Sequence, residues 1–275
     1  MKKVLITGNS GYIGSHLTQL LMSDYEVYGL DLNQPQVPVH KFYDIDIRHP
    51  VGVDIEFDAI VHLAALVNVG ESEKDPISYY DTNLNGTLNI LYQFNSANFI
   101  FASTGAAEKC ESAYGISKRA AEDCVKQYCT TNNIDHTIFR FYNVIGSDGI
   151  KPTNPDGLFY NLLSAKETGE FTIYGDDYEE SRDGTCVRDY VHVNEICDAL
   201  RTAIETPANK IECLGHGIGY TVKEMVTLFE LVNDCPISIK YGARRQGDIA
   251  SSVLDEVSTY MKNLYTIKDL MKVDK

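Results

Sequence analysis

Over the first 145 residues, short β-branched runs alternate with longer stretches whose apolar positions recur at helical spacing. Val4-Leu5-Ile6, Val27-Tyr28-Gly29-Leu30, Ala59-Ile60-Val61-His62-Leu63, Phe99-Ile100-Phe101-Ala102 and His136-Thr137-Ile138-Phe139-Arg140 predict strands. Helices are predicted near 12–23, 77–96 and 114–132, the second opening after Pro76 and the third carrying Ala120, Ala121 and Val125 on an apolar face. Such alternation predicts an α/β fold, a Rossmann-like doubly wound parallel sheet whose ligand lies at the carboxyl ends of the strands.

Beyond residue 145 the texture changes. Gly- and Pro-containing loops from Gly146 to Gly157 lead into a helix-like stretch and then the acidic loop Gly175-Asp176-Asp177-Tyr178-Glu179-Glu180. This predicts a smaller α/β cap domain over 145–188 and 217–275, beside a dinucleotide domain over 1–144 to which the chain returns at about 189–216.

Composition narrows the classes of function. The chain has 275 residues and 44% hydrophobic positions, enough for a large core, which argues against disorder or a fibrous protein. With 24 Lys+Arg against 39 Asp+Glu the formal charge is −15, which repels nucleic-acid backbones and anionic lipid; no basic patch offsets it. Ala59 to Val69, the most apolar stretch, is broken by His62 and Asn68, far short of the roughly 20 residues that span a bilayer. Met1 to Gly8 reads as a strand and not an export signal. Seven scattered cysteines without CxxC spacing read as reduced thiols and not as a metal site, so a cytoplasmic protein without bound metal is expected.

Strand Val4-Leu5-Ile6 runs into Thr7-Gly8-Asn9-Ser10-Gly11-Tyr12-Ile13-Gly14 and then a helix. Glycines at 8 and 11 allow a tight turn and close backbone approach; Gly14 lets the helix pack near the sheet; the helix N-terminus offers free N–H groups to a pyrophosphate. A glycine turn alone is weak evidence, but Asp31 ends the second strand seventeen residues after Gly14. There a carboxylate can accept both hydroxyls of an adenosine ribose and would repel a 2′-phosphate, which favours NAD over NADP.

Tyr114-Gly115-Ile116-Ser117-Lys118 places a tyrosine and a lysine four apart on one helical face. An ammonium beside the phenol favours phenolate, so downstream of a dinucleotide turn the pair can act as general base for a sugar hydroxyl.

Taken together, the glycine turn, Asp46-Ile47, His62-Leu63-Ala64-Ala65, Val69-Gly70-Glu71-Ser72, the Tyr79 to Thr87 segment, Tyr114 to Lys118, Arg140-Phe141-Tyr142-Asn143, the Asp183 to Val193 segment and Arg244-Arg245-Gln246-Gly247-Asp248 resemble the extended short-chain dehydrogenase/reductase family. The resemblance is strongest to its UDP-glucose 4-epimerase branch and runs from about Lys3 to Asp255. It implies NAD-dependent epimerisation of a nucleotide sugar at C4, through a transient 4-keto sugar. It implies that Thr104 touches the sugar O4, that Tyr114 is the base and that Lys118 holds the nicotinamide ribose. Dinucleotide contacts are implied for Gly8, Gly11, Tyr12, Ile13, Gly14, Asp31, Leu32, Asn33, Asp46, Ile47, Leu63, Ala64, Ala65, Val67, Thr82 and Tyr142, together with Tyr114 and Lys118. The UDP-sugar is implied to meet Thr104, Asn143, Tyr174, Arg188, Arg245 and Asp248. A homodimer through helix faces near 77–96 and 114–132 is also implied, although Tyr92, Phe94, Cys124 and Tyr128 could equally be core.

The chain departs from the pattern in three places. Thr104 and Tyr114 are ten positions apart, with Gly105-Ala106-Ala107-Glu108 replacing a longer family connection. Val67 stands where a lysine is frequent, and Ser251-Ser252 replace a frequent aromatic, which leaves room for an N-acetyl group at sugar C2. The alternatives are a nucleotide-sugar dehydratase or reductase of the same superfamily, or a non-catalytic dinucleotide-binding sensor.

Overall fold

The structure is a computed structural model that describes residues 1–50, 52, 55–245, 247–261 and 265–273; Gln246 of the Arg244–Asp248 motif lies outside them. In chain order the elements begin β1 (Lys3–Thr7), α1 (Tyr12–Leu21), β2 (Glu26–Asp31), β3 (Lys41–Asp44), β4 (Ala59–His62), α2 (Val69–Lys74) and α3 (Pro76–Tyr79). A wider π-helical turn, Tyr80–Asn85, joins α3 to α4 (Gly86–Gln93). There follow β5 (Asn98–Thr104), α5 (Ala106–Lys109), α6 (Ala113–Asn132), β6 (Asp135–Phe141), β7 (Asn143–Ile145), α7 (Leu158–Thr168) and β8 (Glu170–Tyr174). The chain continues through β9 (Val187–His192), α8 (Val193–Glu205), β10 (Ile211–Leu214), β11 (Gly219–Thr221), α9 (Val222–Asn233), β12 (Ser238–Gly242) and β13 (Ser251–Ser252).

Two compact units result: Met1–Phe141 with Cys197–Glu212, and Tyr142–Ile196 with the chain from Cys213 on. In the first, seven strands form one sheet in the order β10-β6-β5-β4-β1-β2-β3, with parallel pairing from β3 through to β6. The order reverses between β1 and β4, and it is outside such a reversal that parallel sheets open a crevice for a ligand. Val4, Leu5, Ile6, Ile60, Val61 and Ile100 have no exposed surface, as expected of strands covered on both faces.

The stretch expected as one helix over 77–96 is interrupted. Asp75 caps α3 by accepting from the Ser78 amide at 3.3 Å, Pro76 occupies the first turn, and the chain widens into the π-turn before resuming as α4. Helix ends at Gln93 because Phe94 turns extended and buries its ring in the core with Phe57 and Phe99. Tyr92, by contrast, is 84% exposed, and Tyr128 packs on the edge of that core.

The second unit has its own core, where Phe159, Leu162, Phe171, Met225 and Phe229 pack together. Its β9 is flanked by antiparallel β11 and by parallel β7 and β13, and β8 pairs with β12. Thr221 begins α9 with a reciprocal cap, its hydroxyl accepting from the Glu224 amide while the Glu224 carboxylate accepts from the Thr221 amide.

Candidate active site

Space and dihedral together impose the turn after β1. Gly8 has φ +74°, and a Cβ there would lie 2.7 Å from the Ala64 nitrogen. A Cβ on Gly14 would meet the Gly8 carbonyl oxygen at 2.1 Å, so only glycine lets α1 approach the turn. Gly11 has φ −73°, outside the left-handed region, and closes the turn by donating its amide to the Gly8 carbonyl at 3.1 Å. It is the N-cap of α1 and supplies no side-chain oxygen, which leaves the helix amides available to a phosphate. Asn9 is buried and its amide fills the space above Gly29 of β2, where an added Cβ would lie 2.6 Å from the Asn9 side chain.

Asp31 is aimed by backbone. Its Oδ2 accepts from the Ser10 amide at 3.0 Å and its Oδ1 from the Asn33 amide at 2.9 Å, which fixes the carboxylate at the end of β2 beside exposed Leu32. Asp46 is gripped by Arg48, whose guanidinium reaches Oδ2 at 2.6 Å, and that hydrogen bond holds the carboxyl below its usual range. Ile47 does not share this exposure: it is 5% exposed and packs in the core on Gly86. The cradle of glycines, uncapped amides and an aimed carboxylate fits a dinucleotide with a free ribose diol.

The segment after β4 is tied to β1. Leu63 donates its amide to the Thr7 carbonyl and Ala64 to the Thr7 hydroxyl, while Ala65 and Val67 follow in irregular chain, Val67 exposed. His62 lies fully buried between Thr7 and Thr87 hydroxyls at 2.7 and 2.9 Å. Since the Thr87 hydroxyl donates to the Asn83 carbonyl, it accepts from His62 Nε2, and Nδ1 accepts from Thr7. Burial, reinforced by Lys118, pushes the His62 imidazole down to about 3, so it is a neutral spacer. Asn83 clamps the same loop, accepting from the Leu66 amide and donating to its carbonyl, while half-buried Thr82 precedes it on the π-turn.

Thr104 ends β5, Tyr114 opens α6, and the Thr104 hydroxyl acts on the Tyr114 phenol, favouring its phenolate. Burial pushes the phenol up to about 12; Thr104 pulls it down and Tyr79, edge-on to the ring at 6.3 Å, pushes it up. Lys118 is 2% exposed, its Nζ 4.1 Å from the centre of the Phe101 ring, and burial brings it down to about 7 while Glu122 acts against that. The short connection folds as α5 and a left-handed Cys110, and Ser112 caps α6 by accepting from the Gly115 amide. A segment remote in sequence helps: Glu73 of α2 accepts from the Ala113 amide at 2.9 Å.

Of the residues expected to meet a nucleotide sugar, Thr104 belongs to the first unit and the others to the second, four of them as two pairs. Arg188 on β9 reaches Asp248 at 3.6 Å, and Arg245 stacks on the Tyr174 ring at 4.2 Å. Asn143 donates to the Asp189 carbonyl at 3.1 Å, and Tyr142 immediately precedes it. Asp189 is buried, and three amides, of His216, Gly217 and Leu254, point at its carboxylate. In register, Ser252 lies beside Arg188.

Sequence reasoning assigned no role to Glu122, Ser103 or Glu73. A charged residue reads as surface until its partners are known, and Glu122 is 1% exposed.

The chain belongs to the NAD dependent epimerase/dehydratase family, whose model matches residues 4–213. It is 32% identical to a UDP-glucose 4-epimerase of Haemophilus influenzae, over 92% of this chain and 89% of that one. A UDP-glucose 4-epimerase of Bacillus subtilis is 31% identical, over 92% and 88% of the two chains. Among solved structures, the UDP-glucose 4-epimerase from Bifidobacterium longum in complex with NAD+ and UDP superposes with a TM-score of 0.87 at 28% identity, covering 98% of this chain and 96% of that one. The UDP-Glc/GlcNAc 4-epimerase from Campylobacter jejuni gives 0.76 at 27% identity, with 98% of each chain covered.

Lys118 carries a testable cost. The folded chain holds its proton less tightly than the unfolded chain, so the contribution of this group to stability rises as pH climbs from about 7 towards the ordinary lysine value. Lys118→Met therefore raises the urea midpoint of cofactor-free protein at pH 7; a lowered midpoint contradicts the burial penalty.

Proposed function

We propose that the chain is an isomerase, an NAD-dependent UDP-sugar 4-epimerase acting on UDP-glucose and UDP-galactose or their N-acetyl forms. The observation that carries the reading is that Thr104, Tyr114 and Lys118 come together, the Thr104 hydroxyl favouring the Tyr114 phenolate and Lys118 lying one turn along α6, in the same unit as a dinucleotide cradle. When bound, NAD supplies the acceptor for the C4 hydrogen and returns it. Tyr114, as phenolate, takes the proton from the sugar C4 hydroxyl; Thr104 holds that oxygen; Lys118 holds the nicotinamide ribose and its charge lowers the phenol towards neutrality. The 4-keto sugar turns about its diphosphate, hydrogen returns to the opposite face, and Tyr114 gives the proton back. The nucleotide is held firmly by Arg188, Arg245, Asp248, Asn143 and Tyr174, and the sugar loosely.

A dehydratase needs an acid next to Thr104 to expel water, and Gly105-Ala106 offers none. The half-buried Ser252 beside Arg188 supports N-acetyl sugars as substrates, as does the likeness to an enzyme named for both sugar types. Exposed Ile77 of α3 and Leu88 and Tyr92 of α4 support a homodimer through these helices. Seven free thiols support a cytoplasmic location, and among the described residues no helix is long and apolar enough to cross a membrane.

Three outcomes test this. Purified protein without added cofactor converts UDP-glucose to its C4 epimer by NMR, and Tyr114→Phe lowers turnover by about 10²- to 10⁴-fold; no epimer from any of the four UDP-sugars refutes the reading. Ser252→Tyr lowers kcat/KM for the N-acetyl sugars while sparing UDP-glucose; equal effects on both refute the pocket assignment. Tyr92→Arg yields a monomer by sedimentation where the parent is a dimer, and a parent that sediments as a monomer refutes the dimer.

A further inference from the structure

Behind the redox pair, on the side of α6 facing the sheet, lies a charge cluster to which the chemistry above gives no part. Glu122 sits one turn beyond Lys118 on the buried face of α6 and is 1% exposed. Its Oε1 accepts from the Ser103 hydroxyl at 2.5 Å and from Arg140 Nε at 2.9 Å; its Oε2 accepts from Arg140 Nη2 at 2.7 Å. Ser103 is the neighbour of Thr104 on β5, and Arg140 stands opposite Ser103 on β6. A second carboxylate, Glu108 of the shortened connection, lies 3.4 Å from Arg140 Nη1. One carboxylate thus bolts the catalytic helix to the strand that carries Thr104, while the short loop returns to the same guanidinium.

We propose that Glu122 is a positioning residue that keeps Lys118 charged and holds α6 in register with Thr104. Lys118 has lost water, and the groups facing it explain why it needs an anion. From β4 comes neutral His62 and from β5 the Phe101 ring; the Ser103 hydroxyl is turned to Glu122 and the Tyr79 ring to Tyr114. From α6 comes Glu122, whose charge acts on Lys118; behind it Arg119 lies 4.0 Å and Arg140 of β6 2.7 Å from Glu122, and Glu108 of α5 3.4 Å from Arg140. Glu122 is the carboxylate of this set on the buried face of Lys118's own helix. Removing its charge takes away an attraction and also leaves Arg140 uncompensated. Both changes expel the lysine proton. A neutral Lys118 no longer favours phenolate at Tyr114.

The inference rests on the catalytic reading of Tyr114 and Lys118, but its test has a readout independent of turnover. In full-length protein carrying ¹³C-labelled lysine, the Lys118 resonance, assigned with Lys118→Met, is followed against pH. Glu122→Gln lowers its midpoint by about one unit or more, and adding Arg140→Met to Glu122→Gln returns most of that shift. An unchanged midpoint in Glu122→Gln, or a double variant shifted as far as the single, overturns the proposal. Should Glu122→Gln fail to fold, Glu108→Gln removes a part-exposed carboxylate from the same guanidinium. It then lowers the midpoint by a smaller amount, and no shift overturns the proposal. Epimer formation is measured in parallel. A shifted midpoint in a chain that forms no epimer from any UDP-sugar leaves this inference standing without the epimerase reading; an unshifted midpoint in an active chain does the reverse.

Discussion

Parallel strands impose one constraint from which most of this chain follows. From β3 through to β6 the strands of the large sheet all point the same way, so their ends of one kind lie along one edge, and both faces must be covered by helices. Gly8 follows β1, Asp31 ends β2, Leu63 follows β4, Thr104 ends β5 and Phe141 ends β6. Residues far apart in sequence are thereby brought to one rim without any loop having to reach for them. The interior can be almost wholly apolar because the polar work is confined to that rim and to the few buried groups that brace it.

How much of this was legible depended on whether a residue's role is local. The five strands announced by β-branched runs are present, and so is the long helix over 114–132, because each is dictated by periodicity within its own segment. β3 was not anticipated: Lys41-Phe42-Tyr43-Asp44 is an edge strand with polar ends and no apolar run. The π-turn at Tyr80–Asn85 was equally hidden, since its apolar spacing is that of a helix and the widening is decided by Asn83 gripping the loop after β4. Ile47 packs in the core, into a hollow left by Gly86 that sequence does not display. The Tyr114 and Lys118 pair was legible as spacing; what holds it, through Ser103, Glu122 and Arg140, spans three elements and exists only when they are folded together.

The proposed nucleotide contacts place two arginines of the second unit in a chain of charge −15. Arg188 rests near Asp248, and Arg245 on the face of Tyr174. Each guanidinium is oriented by a weak neighbour instead of being sunk in a strong pair. Contrast Arg140, which is forked onto Glu122 and buried. What sets Arg140 apart is its two-pronged grip on one carboxylate, which Arg188 and Arg245 do not make.

The amide of Asn9 and the bare backbone of Gly29 form a matched pair, one filling what the other lacks. Such a pair constrains ancestry as well as shape. A lineage that enlarged Gly29 first would drive a side chain into Asn9 at 2.6 Å, whereas one that first shortened Asn9 would pass through a tolerable void. The order in which the two positions can be exchanged is therefore asymmetric, and homologues with a large residue at the second site are expected to descend through a small one at the first.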